Sequence, residues 1–213
     1  MMDEYRTVRQ EASDEFVEKK SRFIGYVKPV KTQQEALDFI ETIRKKHWDA
    51  THNVYAYVLR ENMTKRFSDD GEPQGTAGIP VIEVLNKEQL TDCAVVVTRY
   101  FGGTLLGAGG LVRAYSHAAK IAVDAGGISV VSLCESAEIV CDYSFYGKVT
   151  SLVPENGGVI TDTQFADSVK VEFAIKKGDF PSLKAAVIDS SNGRFDCEKT
   201  GEFYADLKKL KKF

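Results

Sequence analysis

The sequence predicts an α+β protein of two domains, residues 1–133 and 134–213, and three observations carry that reading. An amphipathic helix with its own start signal stands before a strand rich in aromatic and β-branched residues. An apolar run then ends in a glycine-rich turn that opens a long helix. From about residue 137 the segments follow in the order strand, helix, strand, strand, helix, strand. At 213 residues the chain has length for one large domain or two small ones.

In chain order, "TQQEALDFIETIRKKH" begins with Thr32 and places Glu35 three residues on, the pattern of a capping box. Ala36, Leu37, Ile40 and Ile43 recur at helical spacing, and basic residues at 44–46 suit the C-terminal end of the dipole. "HNVYAYVLR" (52–60) reads as a strand. "ENMTKRFSDDGEPQGTAG" breaks every period through residue 78 and is expected to be loop, with Pro80 opening a short helix through Leu85. "CAVVVTRY" (93–100) suits a central strand buried on both faces. In the helix that follows, Leu111, Val112, Tyr115, Ala118, Ala119 and Ala122 are expected on one stripe, with Gly126-Gly127 as the stop. Residues 128–144 return to strand character. The second half reads as strand 137–142, helix 145–153, strands 157–164 and 168–175, helix 179–190 and strand 194–206, the split βαβ order of a ferredoxin-like domain.

Composition narrows the functional classes. Hydrophobic content of 43% and charged content of 28% are ordinary for a globular protein. A formal net charge of −3 excludes a general polycation, so nucleic-acid binding has to come from a local patch. Cys93, Cys134, Cys141 and Cys197 form no C-x-x-C pair, and three lie in strand-like segments as small apolar residues. Neither a metal centre nor a disulfide framework is expected. The charged N-terminus lacks the apolar core of a signal peptide, and the longest uncharged interval near the glycine loop is 13 residues, between Arg99 and Arg113. A cytoplasmic, reduced protein with no membrane partner and no cofactor is expected.

Three constellations are candidates for chemistry. The segment "FGGTLLGAGG" carries Gly102, Gly103, Gly107, Gly109 and Gly110 between a strand and a helix start, where unpaired N–H groups and the dipole favour an anion. The named fingerprints fail, because from Gly107 the chain reads "GAGGLV" with Val112 at the last glycine position, and no Gly-Lys-Ser or Gly-Lys-Thr occurs. "LLGAGG" before a helix is similar to the phosphate loop of kinases of the galactokinase–mevalonate kinase type. The same glycines also serve plain turn geometry. In "FSDDGEPQGTAGIP" (67–80), Asp69, Asp70 and Glu72 offer carboxylates for a divalent cation, or ordinary turn chemistry. The third set is basic and polar: Lys19, Lys20, Arg22, His52, Arg99 and Arg113, with Asp69 or Asp70 available as an internal partner for an arginine. No serine or cysteine motif accompanies His47, His52 or His117, and the tail Lys208–Lys212 is locally basic.

Four ordered blocks carry a resemblance: "KKSRFIGYV" (19–27), "HNVYAYVLR" (52–60), "SDDGEPQGTAGIP" (68–80) and "VVVTRYFGGTLLGAGGLVRAY" (95–115). Together they resemble the IMPACT family, whose bacterial branch includes the YigZ- and YvyE-like proteins. The resemblance implies an N-terminal domain similar to a ribosomal-protein and elongation factor G domain IV type fold, and a ferredoxin-like C-terminal domain similar to domain V of that factor. It also implies a role in translation. Eukaryotic members counter activation of an initiation-factor kinase through a partner protein, using a further N-terminal domain without counterpart in these residues.

The expected function is therefore a non-enzymatic regulator or accessory factor of translation or its stress response, binding RNA or the ribosome. Arg22, Arg99, Arg113 and the 68–78 loop are its candidate surface, with Lys208–Lys212 as an auxiliary arm. One alternative is a metal-dependent hydrolase or phosphotransferase using the glycine loop and Asp69, Asp70 or Glu72. Another is a protein-interaction adaptor with a regulatory protein partner.

Overall fold

The computed structural model describes residues 3–210. The chain divides into two compact units, one of Tyr5–Ser129 and the other of Val130 to the C-terminus with the residues before Tyr5.

In the first unit, β2 (Ala12–Glu18), β3 (Ser21–Pro29), β4 (His52–Val58), β5 (Lys65–Ser68) and β6 (Cys93–Tyr100) form a sheet in the order β2-β3-β6-β4-β5. Every pairing is antiparallel. The strand expected at 93–100 is β6, at the centre. Alternation sends Val95 and Val97 into one core and Val96 into the other, and all three are fully buried. Burial of each contributes about 1.5–3 kcal/mol. Helices α2 (Gly78–Lys87) and α3 (Ala108–Gly126) cover the first face, where Leu85, Tyr115, Ala118 and Ala122 meet Phe23, Val27, Val54 and Val97. Helix α1 (Gln33–Lys46) covers the second, packing Ala36, Phe39, Ile40 and Ile43 on Ile24, Tyr26 and Tyr57. The cap of α1 is the expected one: Glu35 N–H donates to Thr32 Oγ1 at 3.2 Å, while the Glu35 carboxylate accepts from Lys31 N–H at 2.7 Å.

Several expectations are corrected. Residues 61–78 are not all loop, since β5 lies within them and a 3₁₀ turn occupies Glu61–Met63. A four-residue edge strand with mostly exposed side chains leaves no hydrophobic period to read. Helix α2 starts at Gly78 rather than Pro80. Its end is closed from a distance, because Asp69 Oδ1 accepts the N–H groups of Ala77 and Gly78. On α3, Val112 points outward, whereas Ala114 and Val123 join the buried stripe. Leu37 of α1 is likewise exposed. The strands at the N-terminal end, β1 (Glu4–Val8), β2 and β3, have no counterpart among the sequence-based expectations. β2 is a charged edge strand in which only Ala12 and Phe16 turn inward.

The second unit contains most of β7 (Ile128–Cys141), then α4 (Tyr143–Glu155), β8 (Val159–Phe165), β9 (Val169–Lys176), α5 (Phe180–Ser190) and β10 (Glu198–Ala205). This is the expected β-α-β-β-α-β order. The sheet runs β1-β7-β9-β8, with β10 also paired to β7. Asp142 caps α4 through Phe145 N–H at 2.8 Å, and Phe145, Val149 and Val153 pack with Leu183 and Val187 of α5 on Ile139, Val171 and Phe173. All four cysteines are free and buried, and burial pushes the Cys93 thiol up to about 12 and that of Cys197 to about 11. Lys208 and Lys209 of the basic tail belong to the described chain; Lys211 and Lys212 lie outside the described residues.

One glycine fixes the route of the loop between β6 and α3. A Cβ on Gly102 would lie 2.0 Å from the backbone carbon and oxygen of Lys20, in the turn joining β2 to β3. Gly102→Ala must therefore push the two turns apart, and a loss of about 1–3 kcal/mol is expected on denaturant unfolding. A neutral substitution would show that the turns do not pack so closely.

Candidate functional site

The antiparallel register of β3, β6 and β4 sets Arg99 between Phe23 and His52, on the face covered by α3. Glu72 enters from the loop after β5. Arg99 Nη1 donates to Glu72 Oε1 at 2.5 Å, and the Tyr115 hydroxyl donates to the same oxygen at 2.7 Å. Arg99 Nη2 reaches Ser21 Oγ at 3.4 Å, and His52 Nε2 lies 3.8 Å from Glu72 Oε1. Arg99 is only 4% exposed, with the rings of Phe23 and Phe101 each 5.4 Å from its guanidinium carbon. Burial, then the Glu72 charge, pushes the Tyr115 phenol far above its ordinary range. A buried ion pair of this kind ties the loop to the sheet; both terminal nitrogens of its guanidinium have internal partners, while Nε is buried without one.

The other two carboxylates are also spent internally. Asp69 Oδ2 accepts from Gly75 N–H at 2.9 Å, and Oδ1 accepts from Ala77 and Gly78 at 3.1 and 2.7 Å. Asp70 Oδ2 accepts from Asn53 N–H at 2.6 Å and Oδ1 from Arg44 Nη2 at 3.0 Å. Its carbonyl lies 2.8 Å from His52 Nδ1, which makes Nδ1 the protonated nitrogen. Asp69, Asp70 and Glu72 thus face different donors. Among the described residues no three His, Cys, Asp or Glu side chains gather as metal ligands.

Arg113 lies elsewhere. A cavity of about 280 Å³ is lined by Phe16, Glu18, Lys19, Leu106, Gly110, Arg113, Ala114 and His117. Phe16, Leu106 and Ala114 supply an apolar floor, and His117 packs edge-on against Phe16 with centroids 4.6 Å apart. Lys19 and Arg113 line the same cavity, while Lys20 follows in the same turn. None of the three has a hydrogen-bond or ion-pair partner among the described residues. Beside them α3 begins at a glycine N-cap, Gly107, whose φ of 71° a side chain would strain. No side chain caps that end and its first turn holds no acid, so the first amides, with Gly109 and Gly110 among them, face outward under the positive end of the dipole. Gly103 also has positive φ, in the preceding loop.

Arg22 is on the opposite face of the sheet, its Nε and Nη2 donating to Glu15 Oε2 at 3.2 and 2.6 Å. The basic set therefore does not converge: Arg99 is internal, Arg22 is paired, and Lys19, Lys20 and Arg113 remain for a ligand. Of the two arginines for which Asp69 or Asp70 is the expected partner, Arg99 pairs instead with Glu72, whose longer side chain reaches it, and Arg113 pairs with neither; Asp70 holds Arg44 and a backbone amide, and Asp69 holds backbone amides alone. Phe16, Glu18, Leu106 and His117 are not among the candidates the sequence singles out for this site. Gly110, Arg113, Ala114 and His117 repeat at i, i+3, i+4 and i+7, the helical-face signal by which three of the lining positions join Arg113.

A second polar chain runs under α1. His47 Nε2 lies 2.6 Å from the Tyr26 hydroxyl and Nδ1 lies 2.9 Å from that of Tyr100, which donates to Asp49 Oδ1 at 3.0 Å. With the Tyr100 proton committed to Asp49, His47 Nδ1–H donates to Tyr100 and Nε2 accepts from Tyr26. Desolvation, with Lys46 and Arg22 nearby, holds the His47 imidazolium below its ordinary range. Between that folded value and 6.5 the unfolded chain binds the extra proton, so stability falls with falling pH through this window. We expect His47→Gln to flatten this part of the pH dependence of Tm. An equal slope in both proteins would contradict it.

The geometry defines an α+β protein with an internally braced loop and an open cationic cavity, and comparison with known proteins places it. The Impact N-terminal domain model matches residues 19–123, and a domain of unknown function (DUF1949) matches residues 139–194. IMPACT family member YvyE of Bacillus subtilis (strain 168) is 39% identical over 203 residues, covering 95% of this chain and 93% of that protein. IMPACT family member YigZ of Escherichia coli (strain K12) is 32% identical over 178 residues, covering 82% and 87%. A solved structure described as a crystal structure of an hypothetical protein superimposes with a TM-score of 0.60 at 28% identity, covering 94% of this chain and 99% of the other. The chain belongs to the IMPACT family.

Proposed function

We propose that this protein is a non-enzymatic accessory or regulatory factor of translation, acting in the cytoplasm by binding RNA or the ribosome. The observation that carries the reading is the cavity between the β2–β3 turn and the start of α3, where Lys19 and Arg113 outnumber the one lining carboxylate, Glu18, and form no ion pair with it, beside open amides. That combination favours a phosphate-bearing polymer, because cations that release condensed counterions supply most of the sequence-independent affinity for nucleic acid. Family membership supports the translational setting. A ferredoxin-like second domain, similar to domain V of elongation factor G, is part of the same reading, and the sheet order β10-β7-β9-β8 supports it. A hydrolytic or phosphotransfer role is disfavoured because Asp69, Asp70 and Glu72 are each consumed by internal donors. Among the described residues no helix is long and apolar enough to cross a membrane.

Gel-shift titrations against ribosomal and transfer RNA at two salt concentrations test the proposal. Retardation that weakens steeply with salt is expected. No retardation at low salt, with no ribosome co-sedimentation, would remove it.

A further inference from the structure

We infer that the rim of this surface reads unpaired RNA bases, with Trp48 as a stacking platform; the inference rests on the RNA-binding reading above and specifies its ligand as single-stranded. Trp48 is 84% exposed, although a ring of this size normally packs against apolar neighbours. It does not sit on a frayed loop. The connection from α1 to β4 is pinned by hydrogen bonds from His47 N–H to Ile43 O, Ala50 N–H to His47 O and Thr51 N–H to Arg99 O, of 2.9, 3.1 and 3.0 Å. Phe101 N–H donates back to Thr51 Oγ1 at 3.1 Å, and the Tyr100 hydroxyl holds Asp49. The indole is thus displayed from a fixed frame fastened to the end of β6, where Phe101 is 44% exposed and Leu105, four residues on, 81%.

Two lysines flank the segments that carry these rings. Lys46 precedes the turn, with its ammonium 4.9 Å from the Tyr26 centroid, and the backbone of Lys20 lies directly against Gly102, next to Phe101. Asp49, the acid of the turn, already accepts the Tyr100 hydroxyl. Exposed aromatic faces on segments flanked by lysines suit a chain of flat bases joined by phosphates. Duplex RNA keeps its base faces stacked inside and offers only phosphates and 2′-hydroxyls, so the rings have no use for it. Charge complementarity favours this occupant over an apolar protein segment.

The chain has a single tryptophan, so its emission reports on Trp48 alone. The full chain is titrated at low salt with a short oligouridylate and with a fully paired RNA hairpin of equal charge, following fluorescence and, in parallel, the anisotropy of labelled RNA. Expected are strong quenching by the single strand, little by the hairpin, and tighter binding of the single strand. Trp48→Ala should weaken oligouridylate binding by about ten-fold, with hairpin affinity and Tm unchanged, and Trp48→Phe should recover most of the loss. Oligouridylate binding without quenching, or equal quenching by both RNAs, would overturn the inference while leaving the RNA-binding reading intact. Failure of both RNAs to bind would remove the two together.

Discussion

Glu72→Ala is expected to destabilise the first unit by about 3–5 kcal/mol, the largest effect of any single polar substitution in it. Truncation leaves the Arg99 guanidinium buried without its counter-charge and takes the acceptor from Tyr115 at the same time. It also releases one of the ties holding residues 69–77 to the sheet. Urea unfolding checks this through a lowered midpoint at nearly constant slope. Glu72→Gln keeps an amide oxygen in place and should cost less. A loss below about 1 kcal/mol for Glu72→Ala is what a solvent-facing pair would give, and would mean that Arg99 has access to water after all.

The triple substitution Lys19→Gln, Lys20→Gln and Arg113→Gln should act in the opposite way. RNA affinity at low salt should drop by at least ten-fold, and the slope of log K against log salt should become shallower by about 0.7 for each single-strand phosphate that the variant no longer neutralises. Stability should stay within about 0.5 kcal/mol, because these side chains carry no internal bonds. Arg99→Gln is the contrasting variant. It should unfold more readily, while the salt slope of whatever remains folded is preserved. Together the two results separate a scaffold role from a binding role, which appearance in one basic set does not.

Legibility follows the physics of local signals. β6 is readable to the residue because a strand buried on both faces is a continuous apolar run, and α1 because its cap and stripe lie within one short segment. The β-α-β-β-α-β order is readable for the same reason. β2 and β5 are not, since edge strands draw on a neighbour's backbone rather than on a hydrophobic period of their own. The candidate residues are mostly visible as types, but not as an arrangement. Glu72 and Arg99 meet across 27 positions, and the pairing depends on β6 lying between β3 and β4, which are not its neighbours in sequence. Asp69 resembles a metal ligand in the sequence because the N-terminal amides of α2 that it caps are invisible in a linear reading. Trp48 stands out in neither period nor motif, and only its exposure on a pinned turn draws attention to it.

In the proposed function the Arg99–Glu72 pair is an inner brace, while the glycine loop with Lys19, Lys20 and Arg113 is a separate outer surface that meets the anion. Amide chemical-shift mapping of the full chain with a short oligouridylate tests it most directly. Perturbations clustered at Lys19, Lys20, Trp48 and residues 101–113, with Asp69–Gly78 unmoved, are the predicted result. A footprint centred on Asp69–Gly78, or one confined to residues after 130, would contradict it.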